Sequence, residues 1–263
     1  MDTGISELIG SIPNRMALAG GWIDQPFMSK RNPSPPGSMV VVSLEPTFRV
    51  MDRSGMATST RKVAVDLWGG HLPDRDPSEL VRELYEAENR NRNEPSGSQD
   101  MIGLIYPGVN RLDYDYGHEG GIFPVHIQSN DDPQTACWLE GIIKMVPVAQ
   151  RPERYDPLGV KHLDPEWIAR LGQSGKDCYR AVVERHAEAL GASMNECMLC
   201  WEKLLPNVVK HDDVDLLEIL HYCQSRYRGA MYSGCGGGYL YVVSEEPVPG
   251  SISISVRTRD PTG

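Results

Sequence analysis

The chain has 263 residues, of which 40% are hydrophobic and 24% charged, a balance that suits one large globular domain or two modest ones. Its net charge of −10 opposes broad binding to nucleic acid or anionic membranes, but leaves room for local capture of a nucleotide by a few backbone N–H groups and one or two cations. No stretch approaches the roughly 18–20 apolar residues that span a bilayer, and residues 1–7 lack a basic region or long apolar core, so a cytoplasmic location with reduced thiols at all six cysteines is expected.

In chain order, residues 14–26 alternate in an apolar pattern that ends in Gly20-Gly21. That pattern permits a strand to turn sharply and leave Trp22 and Asp24 at a cavity edge, although a plain strand–turn with a surface aspartate fits equally. Residues 33–38 are a proline-rich turn, and 39–44 are a strand. Val63, Ala64, Leu67 and Trp68 have helical spacing over 59–68, with Gly69-Gly70 as the stop. A second helix is expected over 78–90, carrying Leu80, Val81, Leu84, Tyr85 and Ala87 on one side. Residues 89–98 are polar and turn-forming, and the apolar segment 101–106 follows. The loop 113–121, with His118 and Glu119, reads as a solvated connection. Strands are expected at 122–128 and 141–148, then helices at 165–171, 175–190, 193–205 and 214–226. Two strands, near 239–244 and 251–257, close the chain. Strands and helices mix without a regular βαβ alternation, which indicates an α+β fold. The expected division is an N-terminal unit over 1–130 and a helix-rich C-terminal unit over 131–263.

Three glycine-bearing segments carry chemistry. Arg15, in the first, offers a fork of donors to phosphate, and Asp24 can accept from substrate hydroxyls. The second, Arg53-Ser54-Gly55-Met56-Ala57-Thr58-Ser59-Thr60, runs straight into a helix. Its hydroxyls fit a helix cap, but Gly55 also allows the loop to wrap an anion against the first-turn N–H groups. The third is Ser233-Gly234-Cys235-Gly236-Gly237-Gly238, before a strand. Two other motifs fit blander roles. Cys197-Met198-Leu199-Cys200 has half of a zinc or redox spacing, but its helical pattern with Met194, Trp201 and Leu204 reads as a buried face. Gln150-Arg151-Pro152-Glu153-Arg154-Tyr155 is either a charged surface turn or a contact for an anionic substrate.

The three segments, in this order, resemble those of the GHMP small-molecule kinase superfamily, which includes galactokinase, homoserine kinase, mevalonate kinase and phosphomevalonate kinase. Residues 19–26 look most like the fucokinase and heptose-phosphate kinase branch. Gly97-Ser98-Gln99-Asp100, followed by Tyr106-Pro107-Gly108-Val109-Asn110, is similar to the segment that supplies that branch's catalytic aspartate. The resemblance implies a two-lobed fold, with a mixed-sheet N-terminal lobe and a helix-rich, ferredoxin-like C-terminal lobe. It also implies transfer of phosphate from ATP to a hydroxyl of a sugar, sugar phosphate or polyol. Asp100 is then the base and Arg15 the cation. Ser54, Gly55, Met56, Ala57, Thr58, Ser59, Thr60, Gly236 and Gly237 bind the nucleotide's phosphates, Ser59 and Thr58 assist Mg²⁺, and Trp22 and Asp24 face the acceptor. A homodimer or a larger sugar-activating assembly is left open. Residues 25–54 alone separate the first two segments, whereas the family has a longer stretch there that helps build the nucleotide pocket. The expectation is therefore a nucleotide in a reduced base pocket, one held by a partner subunit, or none bound at all, and a kinase-fold binding or regulatory protein without catalysis is the alternative.

Overall fold

The computed structural model describes residues 10–92, 95–153 and 155–259, so residues 1–7 and Arg154 of the 150–155 segment lie outside the described residues. The element order is β1 (Asn14–Ala17), α1 (Pro26–Ser29), β2 (Gly37–Leu44), α2 (Thr58–Trp68), α3 (Pro77–Asn89), α4 (Gln99–Ile105), β3 (Val109–Tyr114), β4 (His126–Asn130), α5 (Pro133–Ile142), β5 (Ile143–Ala149), α6 (Pro165–Val183), α7 (Ala187–Leu204), α8 (Leu216–Arg226), β6 (Gly229–Gly234) and β7 (Gly237–Val243). One sheet has the strand order β1-β2-β3-β4 and the other β5-β7-β6.

Among the described residues both sheets are antiparallel at every pairing, so the fold is α+β but the N-terminal sheet is antiparallel where a mixed one was expected. The reason lies in the connection from β2 to β3. Three helices leave the sheet at Leu44 and return the chain to the same end, where Val109 pairs with Val42. A parallel pair would need a crossover to the opposite end.

Strand β2 is buried along its whole length, which explains why Met39-Val40-Val41-Val42 is continuously apolar rather than alternating. Helix α6 lies against it through Gly172 and Gly175. A Cβ on Gly172 would come within 2.8 Å of the Gly37 Cα, and one on Gly175 would run into the Ser38 carbonyl. The helices expected at 165–171 and from Gly175 are one, Pro165–Val183, with Gly175 in its interior. The real break is at Arg185, which has φ 53°. Helix α7 follows at Ala187, where the His186 ring accepts from the Ala189 N–H.

The segment 133–142 is also helical, ahead of the strand expected from 141. Asp132 accepts from the Gln134 and Thr135 N–H groups, and Pro133 occupies the first turn. The tail expected to be a strand at 251–257 makes isolated bridges instead. Ile252 pairs with Met145 in one sheet and Val256 with Leu44 in the other, so the tail laces the two sheets together. Arg257 donates to the Leu104 and Ile105 carbonyls, which closes the open C-terminal end of α4. Among the described residues no helix is long and apolar enough to cross a membrane.

Candidate active site

A cleft of about 680 Å³ collects residues from all three glycine segments, from Arg92 and the stretch 95–100, and from Arg151, Leu158 and Lys161. Its floor is the turn before α2. Arg53, Gly55 and Ala57 have φ of 53°, 76° and 56°, so the chain curls tightly, and two of these left-handed positions are not glycine. Such strain persists only where the surroundings hold it, and it often marks a functional loop. Helix α2 then begins at Thr58 with no side-chain cap and no acidic residue in its first turn. Its first N–H groups and the positive end of its dipole are left to the cleft.

The glycine loop packs on this turn. A Cβ on Gly55 would fall 2.6 Å from the Gly234 Cα and 2.8 Å from the Ser233 carbonyl oxygen. The Ser233 hydroxyl donates to the Ser54 carbonyl and accepts from the Tyr239 N–H at 2.9 Å. Two distant parts of the chain thus form one seam. Ser233, Gly234 and Cys235 face the cleft. Gly236 and Gly237 lie behind them, and a Cβ on either would meet the Tyr155 ring or the Ala149 carbonyl, each at 2.7 Å.

The other residues expected from the sequence separate in the same way. Gly55, Ala57, Thr58 and Ser59 line the cleft. Met56 is fully buried in the core and anchors the turn, and Ser54 is buried with its hydroxyl unpartnered. Thr60 is fully buried, and its hydroxyl donates to Asp100 at 3.4 Å.

Asp100 stands in the first turn of α4, with its carboxylate between Thr60 and Arg15. Arg15, on β1, is 4% exposed; it forms an ion pair with Asp100 and donates to the Gly55 carbonyl at 3.2 Å. Gly103 on α4 makes room for it, because a Cβ there would collide with the Arg15 Cγ. One buried guanidinium therefore ties the carboxylate to the backbone of the Gly55 turn.

Asp24 is 1% exposed, and its Oδ2 has no partner. Burial first, and the Asp100 charge second, push its carboxyl up to about 7, against the opposing pull of its own backbone hydrogen bond and of Arg15. Gly97 lets the 95–98 loop close over it. Beside it Trp22, with φ 81°, is tilted against Phe27 at 6.4 Å. Helix α7 pins this segment from below. Trp201 Nε1 donates to the Gly21 carbonyl at 3.0 Å, and Cys197 Sγ accepts from the Gly20 N–H at 3.3 Å. Burial pushes the Cys197 thiol up to about 12, so this cysteine is a packing and positioning group.

Sequence reasoning missed Glu88. It is 7% exposed, with Oε1 2.8 Å from Arg92 and 3.3 Å from the Ser59 hydroxyl, while Oε2 is buried without a partner. Burial raises its pKa. The signal was available, since Leu80, Leu84 and Glu88 follow one another at i+4 on the apolar face of α3. Among the described residues no three His, Cys, Asp or Glu side chains cluster as a metal cage. The unpartnered Glu88 Oε2, on the carboxylate whose Oε1 takes the Ser59 hydroxyl and Arg92, is nevertheless a hard oxygen of the kind Mg²⁺ takes, the rest of its shell usually coming from water and substrate phosphates. The loop 113–121 lies elsewhere: Glu119 forms a two-point pair with Arg82, and Asp113 binds Ser38 and Arg111.

The chain has the GHMP kinase fold, as its likeness to solved structures shows. Solved structures that share it include a mevalonate kinase, at 11% identity and TM-score 0.62, with the match covering 95% of this chain and 99% of that one. A D-glycero-D-manno-heptose 1-phosphate kinase from Bacteroides thetaiotaomicron matches at 12% identity and TM-score 0.58, over 93% of this chain and 95% of that one. Lactococcus lactis galactokinase complexed with galactose matches at 12% and 0.55, over 95% and 93%. No protein-family model and no curated protein matches the sequence.

Proposed function

We propose that the chain is an ATP-dependent phosphotransferase acting on a hydroxyl of a sugar, sugar phosphate or polyol. One observation carries this reading: Asp100, held by Arg15 and Thr60, sits against the same turn that presents the open N-terminus of α2 to the cleft. The N–H groups at Thr58 and Ser59 bind the donor's phosphates, and Gly234 closes the loop from the other side. Asp100 takes the proton of the acceptor hydroxyl as that oxygen bonds to the terminal phosphorus and the bond to the leaving ADP oxygen breaks. Arg15 keeps Asp100 in place and supplies positive charge near the transferred group. Trp22 offers an apolar face to the acceptor's ring and Asp24 a carboxyl to its hydroxyls. Glu88 and Ser59, with Thr58 adjacent, would hold Mg²⁺, which neutralises phosphate charge when bound.

A second reading, a binding or regulatory protein without turnover, is favoured by one feature. Residues 25–54 hold only a four-residue helix and one strand, little material for a base pocket. Thermal unfolding with and without Mg²⁺ tests both readings. Nucleotide at 100 times its Kd stabilises by about 2.7 kcal/mol. No shift at millimolar ATP, GTP or ADP rules out the kinase reading, and a shift without transfer across a broad acceptor panel favours the second.

A further inference from the structure

Residues 150–153 follow β5, and Arg151 reaches the seam between the two glycine loops. Its backbone is tied there, with the Arg151 N–H donating to the Arg53 carbonyl at 3.4 Å. The Arg151 side chain is fixed as well. Its Nε donates to the Cys235 carbonyl at 2.7 Å, and its guanidinium lies 5.6 Å from the centre of the Tyr155 ring. Among the described residues these contacts leave the donors on both terminal nitrogens unused. The point where a Gly234 side chain would begin is 3.5 Å from one of those nitrogens and 2.6 Å from the Gly55 Cα. A pre-oriented fork of donors thus stands at the phosphate turn.

The other cations of the cleft are committed or distant. Arg15 is paired with Asp100, Arg92 with Glu88, and Arg53 with Glu153 at 3.7 Å. Lys161 is exposed and sits 5.0 Å over the Phe27 ring, on the Trp22 side. Among the described residues no carboxylate pairs with Arg151, and a half-buried guanidinium without an anion is poised to receive one.

We propose that Arg151 is a phosphate-binding residue of this cleft, gripping the triphosphate of the bound nucleotide from the glycine-loop side of the seam. The inference rests on the kinase reading and adds a residue to it: Arg15 holds the base, and Arg151 holds the donor. Inorganic tripolyphosphate should bind at the same place, because the contact involves phosphate oxygens alone.

Calorimetric titration of wild type, Arg151→Gln and Arg151→Lys with ATP and with inorganic tripolyphosphate, at two salt concentrations, tests it. Arg151→Gln should weaken both ligands by about tenfold or more and flatten the salt dependence of tripolyphosphate binding, with the ligand-free melting temperature lowered only by the few degrees that loss of one hydrogen bond brings. Arg151→Lys keeps the charge and should recover part of the loss. Wild-type affinities in Arg151→Gln, or an Arg151→Lys variant as weak as Arg151→Gln, overturn the inference, the latter because the residue would then act only by holding Cys235. Should Arg151→Gln fail to fold, Arg151→Lys decides alone: tripolyphosphate binding within a few-fold of wild type supports the charge role, and a larger loss overturns it. If wild type binds neither ligand, the kinase reading itself falls, an outcome distinct from failure in the variants alone.

Discussion

Replacing Asp24 with asparagine should change how stability depends on pH, and the size of that change follows from its surroundings. In the folded protein, burial and the nearby Asp100 charge lift its pKa from 3.8 to about 7. Between those values the native state keeps a proton that the unfolded chain has lost. The unfolded state binds fewer protons, so stability falls as pH rises; the contribution is complete below about pH 4 and gone above about pH 7. Some three pH units, at about 1.4 kcal/mol each, amount to about 4 kcal/mol. Asp24→Asn removes the titration and leaves only a constant offset from the amide. Urea unfolding of both proteins across pH 4–8 should therefore show the variant gaining about 4 kcal/mol relative to wild type as pH rises. A difference that stays constant across this range, or shrinks toward alkaline pH, refutes the assignment of Asp24 as a carboxyl held neutral by burial.

The cleft's two sides should also respond separately. Gly55→Val puts a branched side chain on a left-handed residue against Gly234, and should abolish ATP binding measured by calorimetry while sparing the acceptor. Asp24→Ala should do the reverse, and equal loss of nucleotide binding in both would contradict this division. Glu88→Gln should erase the Mg²⁺ dependence of ATP-induced thermal stabilisation and leave metal-free nucleotide binding intact; retained Mg²⁺ dependence would remove Glu88 from the metal site. Gly103→Ala forces the Arg15 stem aside and should cost about 1–3 kcal/mol in urea unfolding, with a neutral result contradicting the tight packing of α4 on β1.

Much of the fold was legible because local signals agreed with the tertiary structure. Helix α2 ends at Gly69, and α3 starts after Asp76, whose carboxylate accepts from Ser78 and Glu79. The order of the three glycine segments pointed to the kinase fold, and the packing of Gly55 on Gly234 explains why they must meet. What sequence could not give was set by contacts between distant residues. A helix break was expected before Gly175, since glycine weakens helices, yet its missing side chain is what lets the unbroken α6 touch β2. The alternating tail at 251–257 satisfied the strand pattern but finds only single bridges to two different sheets. Glu88 was hidden by the opposite effect, a charged residue on an apolar stripe whose meaning depends on Ser59 from another helix. Among the residues expected to hold phosphate, composition could not separate those facing the cleft, such as Thr58, from those behind it, such as Met56 and Gly236.

The central claim is that Asp100 serves as base for phosphate transfer within this cleft. Transfer of the labelled terminal phosphate of ATP to a panel of sugars, sugar phosphates and polyols, run in parallel on wild type and Asp100→Asn, tests it most directly. Wild type should transfer phosphate to at least one acceptor, and Asp100→Asn should lose about 10²–10⁴-fold of that rate with ATP affinity retained. Undiminished transfer by Asp100→Asn would contradict it.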